Sequence, residues 1–355
     1  MPPSEPAWWY GTPRPGLMRC LEPLAAVYGW AAMARYRSKA PYRSRLPVLC
    51  VGNLTAGGTG KTPLVLYLAR RLAERGERPV LLTRGYGGRR TGPAWVAPGT
   101  DTARETGDEP LLLARTAPTL IARDRAAGAA AIEAAIEPDR SASIIVMDDG
   151  LQNGTLAKDL AIAVVDAGRG FGNGAVMPAG PLRAPLAFQL QMVDALLVNS
   201  IAADAETSPV TVALRAQFQG PVLAGQTLAA DDTAWLRGAS VVAWAGIGAP
   251  QRFFALLDSL GARRVETLAL ADHALPSATD ARRLMELAQR HGAMLVTTEK
   301  DLARLGGESG PAGDLARASR AIPVVLTLSE RDQGRLDALI DTALKTHRDA
   351  QATQS

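Results

Sequence analysis

From residue 46 onward the chain alternates short, unbroken apolar runs with longer stretches whose apolar residues recur at helical spacing. Residues 46–51, 80–83, 119–122, 144–147 and 161–165 read as strands, with helices over 62–75, 110–116 and 125–136 between them. Continuous Val, Ile and Leu, without polar alternation, predict strands buried on both faces, and the helical connections predict that they run parallel. A Gly- and Pro-rich stretch, 168–185, then reads as a functional loop. A second series begins near Asp204, with strands over 210–215, 241–245, 294–297 and 324–326 and helices near 251–260, 278–291 and 334–346. The last nine residues, 347–355, are polar and read as a loose tail. The expected fold class is α/β: an N-terminal segment over 1–45, a larger domain over 46–203, and a smaller second α/β domain over 204–346.

Composition changes this picture only at the N-terminus. The 355 residues are 47% hydrophobic and 21% charged, as in an ordinary globular protein, and no apolar run approaches the ~20 residues of a spanning helix. Two cysteines, Cys20 and Cys50, cannot make a disulfide framework, which fits a reducing compartment. The net charge of +4 is localised: residues 1–45 hold seven basic side chains against Glu5 and Glu22, so the other 310 residues sum to −1. A general nucleic-acid-binding surface is therefore not indicated. The same segment carries Trp8, Trp9, Tyr10, Tyr28, Trp30, Tyr36 and Tyr42, seven of the 17 aromatic residues. Aromatic and basic residues around an uncharged run of 12 residues, 23–34, predict an interfacial helix lying on an anionic membrane surface. A plain core helix, with Leu17, Leu21, Leu24 and Tyr28 at helical spacing, and a signal peptide are the competing readings.

The strongest chemical signal follows the first strand: Thr55-Ala-Gly57-Gly58-Thr59-Gly60-Lys61-Thr62. A buried strand runs into a glycine-rich turn and a helix opens at Lys61. The turn's backbone N–H groups close around phosphate, Lys61 neutralises β- and γ-phosphates, and the Thr62 hydroxyl reaches Mg²⁺. Thr55 stands where the common P-loop pattern has its first glycine. At the end of the 144–147 strand, Asp148 and Asp149 supply carboxylates for a metal, although Asp-Gly is also a common strand–turn boundary. Only five of the 39 basic residues are lysines, which draws attention to Lys61 and to Lys300 in Thr298-Glu-Lys-Asp301. Thr298 and Asp301 also have capping-box spacing. Asp108, in Gly107-Asp-Glu-Pro110, is equally placed to cap a helix. Arg84, Arg123 and Arg183 are candidates for phosphate and transition-state charge; Arg84 and Arg183 lie in loops at strand ends, where open α/β sheets bind ligands.

These motifs, with Thr83-Arg-Gly-Tyr-Gly-Gly88, Asp148-Asp-Gly-Leu-Gln152, Phe171-Gly-Asn-Gly174, Pro178-Ala-Gly-Pro-Leu-Arg183, Gly246-Ile-Gly248 and Ala271-Asp-His273, stand in the order and spacing of one family. The chain resembles the tetraacyldisaccharide 4'-kinases of the lipid A pathway, from the N-terminal helix to at least Asp301. The resemblance implies a P-loop NTPase domain with a mostly parallel sheet, plus the smaller α/β domain and the interfacial helix. It implies transfer of the ATP γ-phosphoryl group to the 4'-hydroxyl of an acylated disaccharide 1-phosphate lipid, giving lipid IVA, with Mg²⁺. Peripheral attachment to the cytoplasmic face of the inner membrane follows. It favours Asp108 as catalytic base partnered by His273; Arg183 joins them as a catalytic candidate by its place at a strand end, and Lys300, a rare lysine in a family motif, is a lesser site candidate.

Two positions depart from the family: Asn153 stands where histidine is usual, and Ala184 where an acidic residue is usual. They keep open a membrane-surface ATP-binding protein without kinase activity. A P-loop GTPase-like switch is the other alternative, but no guanine-specifying motif stands out.

Overall fold

The computed structural model describes residues 5–12, 14–135, 142–201, 204–230 and 232–353. After the helix α1 (Pro15–Arg37), the chain forms β1 (Val48–Gly52), α2 (Lys61–Glu74), β2 (Pro79–Thr83), β3 (Ala94–Trp95), α3 (Ala103–Thr106), α4 (Asp108–Leu113) and β4 (Thr119–Ile121). It continues through α5 (Arg125–Glu133), β5 (Ile144–Asp148), β6 (Leu160–Asp166), α6 (Leu186–Leu190), β7 (Ala195–Ile201), α7 (Pro209–Gln217) and β8 (Val222–Ala229). The remaining elements are β9 (Ser240–Ala245), α8 (Pro250–Ser259), β10 (Arg263–Ala269), α9 (Ala278–His291), β11 (Met294–Thr298), α10 (Glu299–Leu305), α11 (Gly310–Ala318), β12 (Ser319–Ile322), β13 (Val324–Leu328) and α12 (Glu330–Ala352).

Nine strands form the larger sheet, in the order β13-β8-β7-β6-β1-β5-β2-β4-β3. It is parallel except at its two edges, where β13 and β3 pair antiparallel. Every residue of β1, β2, β5 and β6 is buried, because the sheet is covered on both faces. One face packs Leu64, Leu68 and Leu72 of α2 and Leu336 and Ile340 of α12; the other packs Ala129 and Ile132 of α5 and Leu214 of α7. The smaller sheet, β10-β9-β11-β12, is wholly parallel, with α8 on one face and α9 and α11 on the other.

Several expectations change. The division at 203/204 does not follow the sheets: β8, β13 and α12 belong to the larger sheet, so the second lobe is the segment between them. Residues 210–215 are helical, because Ser208 caps α7 by accepting from Thr211 N and Pro209 occupies the first turn. The tail is helical to Ala352, held by His347, which bonds Asp159 and the Arg45 carbonyl. Ile136, expected to end α5, lies outside the described residues.

The interfacial segment is one helix, α1, with Pro23 inside it. Ala25 and Gly29 are its buried residues, and a Cβ on Gly29 would stand 3.2 Å from Pro185, so glycine permits close seating on the 176–185 loop. Leu24, Val27, Tyr28 and Trp30 face outward, Trp30 at 67% exposure. This excludes the plain core-helix reading. Among the described residues no helix is long and apolar enough to cross a membrane.

Candidate active site

Parallel strands deliver their C-terminal ends to one edge, and the candidate residues collect there. β1 feeds the glycine-rich turn, where Gly57 (φ 90°) and Gly60 (φ 87°) adopt backbone conformations that disfavour side chains. Thr55, Thr59 and Thr62 are buried, and the Thr59 hydroxyl has no hydrogen-bond partner. Lys61 lies 3.7 Å from Asp149. The two lobes meet at this turn: a Cβ on Gly248 would stand 2.7 Å from Gly58 N, which gives the Gly-Ile-Gly motif a steric reason. Arg252 of α8 donates to the Thr59 carbonyl (3.0 Å) and pairs with Asp166, pinning the second lobe to the turn.

Asp148 and Asp149 leave β5 with different fates. Asp148 is buried; its Oδ2 accepts from the Thr83 hydroxyl (3.2 Å) while Oδ1 has no partner. Burial, reinforced by the charges of Glu109 and Asp149, pushes its pKa up to about 7. Asp149, in a left-handed conformation (φ 49°), accepts from Arg183 at 2.8 Å. Burial opposes its ionisation, but Arg183 and Lys61 outweigh that and hold its pKa well below the carboxylate range. Arg183 also donates to the Thr55 carbonyl (3.1 Å) and Gln152 (3.2 Å), so it braces the turn from the side.

Asp108 begins α4 and is 3% exposed. Its Oδ1 accepts from Glu109 N (2.8 Å), while Oδ2 accepts from Arg304 Nε (3.0 Å) and Nη2 and lies 3.4 Å from His273 Nδ1. Burial favours its neutral form, but the His273 hydrogen bond and the charge of Arg304 prevail and keep it ionised. His273 is also left-handed (φ 59°), meets the Tyr86 ring at a tilt of 55° with centroids 4.9 Å apart, and is more open to solvent. Burial lowers its pKa, yet the bond and charge of Asp108 leave it raised. Asp149 and His273 are the two non-glycine residues with positive φ among the described residues, and both belong to this site.

Other candidates fall differently. Lys300 is drawn in: it donates to Glu109 Oε1 at 2.8 Å, and Glu109 also accepts from the Thr62 hydroxyl. Burial opposes the charge on Lys300, but Glu109 and Asp108 raise its pKa. Arg84 is exposed just beyond β2, and exposed Arg123 contacts only the margin, 3.5 Å from the Gly88 carbonyl. Asn153 shapes a turn, accepting from Thr155 N at 3.0 Å. Ala184 is buried, with its carbonyl accepting from Gln189 (2.8 Å), so the position holds a small residue inside the scaffold. Glu109, Arg252 and Arg304 were not anticipated. Glu109 sits inside the Gly-Asp-Glu-Pro motif, and Arg304 follows Asp301 at i,i+3 on α10; these were the available signals.

Among the described residues no three His, Cys, Asp or Glu side chains are grouped to hold a metal. The profile of the tetraacyldisaccharide-1-P 4'-kinase family matches residues 17–345. A tetraacyldisaccharide 4'-kinase of Rhodopseudomonas palustris (strain BisB18) is 46% identical over 347 residues, 97% of each chain. One of Methylobacterium sp. (strain 4-46) is 47% identical over 345 residues, covering 96% of this chain and 98% of that one. Crystalline LpxK of Aquifex aeolicus, in complex with ATP, shares the fold with a TM-score of 0.67 at 24% identity, over 92% of this chain and 99% of that one.

Proposed function

The chain belongs to the tetraacyldisaccharide-1-P 4'-kinase family, and on that premise we propose how its residues move phosphate and proton. It is an ATP-dependent kinase of lipid A biosynthesis that phosphorylates the 4'-hydroxyl of a tetraacyldisaccharide 1-phosphate. The glycine-rich turn and Lys61 take the ATP phosphates, with Arg183 beside them and Arg84 at the rim.

The proton is the harder problem, because a sugar hydroxyl is a weak nucleophile at neutral pH. Asp108 is buried and both its oxygens are occupied; His273 is open to solvent and has a raised pKa. We therefore assign His273 as the group that accepts the hydroxyl proton and Asp108 as the carboxylate that orients the ring and stabilises its charged form. This inverts the expected roles within the same pair. The observation that carries the reading is the Asp108–His273 contact beside Glu109, whose carboxylate also takes the hydroxyl of Thr62 at the phosphate turn.

A divalent cation fits this site. Asp148 Oδ1 is a buried carboxylate oxygen with no partner, and Thr62 lies in the first turn of α2. Asp148 and Thr62 would hold Mg²⁺, whereas Asp149 is already committed to Arg183 and Lys61. The ion supplies neutralisation of phosphate charge. The outward row of Leu24, Val27, Tyr28 and Trp30 suits insertion into a lipid interface. An acylated acceptor suits such an interface, and the need for ATP supports peripheral attachment on the cytoplasmic face of the inner membrane.

Incubation with labelled ATP and acylated disaccharide 1-phosphate tests the reading. Label should appear in a bisphosphorylated lipid for the parent and fall steeply in H273A. ATP hydrolysis without lipid labelling would instead favour an ATP-binding protein lacking kinase activity.

A further inference from the structure

We propose that Arg304 is a positioning residue for phosphoryl transfer: its guanidinium locks Asp108 to the second lobe and shares that carboxylate with His273. The proposal rests on the reading of His273 as proton acceptor. One edge of the guanidinium faces the first lobe, where Nε (3.0 Å) and Nη2 both donate to Asp108 Oδ2. The other edge faces the second, where Nη1 donates to Asp301 Oδ1 (2.7 Å) and to the carbonyls of Gly246 (3.0 Å) and Ala274 (3.3 Å).

Those two carbonyls bracket His273. The Gly246 carbonyl accepts from His273 N at 2.9 Å, and Ala274 is the next residue along the chain. Asp301 completes the frame by accepting from Gly246 N at 3.1 Å. One planar cation thus fixes the backbone that holds the imidazole and the carboxylate that the imidazole faces. The Arg304 side chain is only 9% exposed, so water competes little for these bonds.

The arrangement also has an electrostatic consequence. The charged groups facing His273 are Asp108 from α4, Asp272 from its own loop (3.7 Å from Nε2), and Arg304 from α10; the Tyr86 ring lies beside it, tilted by 55°. Arg304 is the one cation in that set and opposes the two carboxylates. Without it, His273 would be left with only the weaker influence of Lys300 to share the charge of ionised Asp108, and its proton would be held more tightly.

The test uses full-length R304M, R304Q and R304K, with kcat and KM for ATP and lipid acceptor measured across pH. Loss of the cation should lower kcat of R304M and R304Q by about 10²-fold with the KM for ATP nearly unchanged. The acidic limb of kcat/KM should move to higher pH in both, because a more basic His273 is neutral only at higher pH. R304K, keeping the charge, should leave the limb near its parental position and recover much of kcat. If R304M fails to fold, the contrast between R304Q and R304K decides. Parental kcat and limb in R304Q would overturn the proposal, as would a loss of kcat with an unmoved limb in R304M and R304Q and no rescue by lysine. H273A, run alongside, separates the two ideas. Near-parental activity there removes the proton-acceptor reading, while the split between kcat and KM in R304Q still decides whether Arg304 positions Asp108.

Discussion

Asp108 and Asp148 are both buried aspartates at one edge of one sheet, yet their environments drive them apart. Asp108 has a donor on Oδ1, three nitrogens around Oδ2 and a pKa held low; Asp148 has one hydroxyl donor, an orphan oxygen, two carboxylate neighbours and a pKa near 7. Burial penalises the charged form of both, so it cannot by itself explain why they part. What differs is which charges the fold has already supplied. Around Asp108 the protein provides its own cations and produces a finished device. Around Asp148 it leaves a deficit of positive charge, which suits a site completed by a metal–nucleotide.

The largest test strikes the phosphate half. K61A removes the cation at the glycine-rich turn and should lower kcat by about 10³-fold or more, with circular dichroism unchanged. Near-normal labelling of lipid by K61A would break the assignment of that half.

H273A should cost about 10²- to 10⁴-fold in kcat, the usual contribution of a positioned base. In the parent, activity should fall as pH drops through the raised pKa of His273, because protonation consumes the acceptor. H273A should lose that limb; a limb that persists belongs to another group.

The third test concerns stability. The folded pKa of Asp148, about 7, exceeds its ordinary unfolded value of about 3.9. Between those values the folded protein holds a proton that the unfolded chain has released, so this residue's contribution declines as pH rises and stays reduced above about 7. D148N should therefore melt higher than the parent at about pH 8, by roughly 1–2 °C per kcal/mol recovered in a chain of this length, with the difference vanishing at about pH 4. The same variant should lose the added stabilisation that Mg²⁺ with ATP gives the parent. A D148N protein that melts lower at alkaline pH would end the contrast between the two aspartates.

The smallest effect is expected outside both halves. Replacing Leu24, Val27 and Trp30 together with serine should reduce flotation with anionic liposomes and raise the KM for the lipid acceptor several-fold, leaving the KM for ATP unchanged. Point changes are a sharper probe than deleting the N-terminal segment, because the residues before α1 touch the glycine-rich turn: the Tyr10 hydroxyl donates to the Ala56 carbonyl at 3.3 Å. Unaltered flotation would place the membrane contact elsewhere.

Parts of this site were legible because the backbone itself makes them. A buried apolar strand, glycines that need positive φ and a helix opening at Lys61 are local facts, so the conformation of the glycine-rich turn could be read directly. The same holds for Asp148 and Asp149 at the end of β5. Arg304 was not legible, since its partner Asp108 lies 196 positions away in the chain. Lys300 was visible only as a rare lysine in a motif, and its pairing with Glu109 spans 191 positions. The lobe boundary escaped for the same reason: β13 pairs with β8 across a whole intervening domain, and no local pattern records that return.

That return has a consequence for assembly of the chain. Ala229 pairs with Val324, and the Ala230 amide bonds the Pro323 carbonyl at 2.9 Å, so the two threads leaving the larger sheet continue its ladder. Topologically, the second lobe is an insertion at the tip of a β-hairpin. The larger sheet gains its last strand only after residue 328 has been synthesised, whereas the inserted sheet has all four strands by residue 322. A growing chain thus holds an open edge on β8 while a complete small domain forms beyond it, and the hairpin closes last. His273 and Arg304 lie in that insertion and Asp108 in the lobe that waits for it, so the Asp108–His273–Arg304 cluster joins residues from both sides of that late closure.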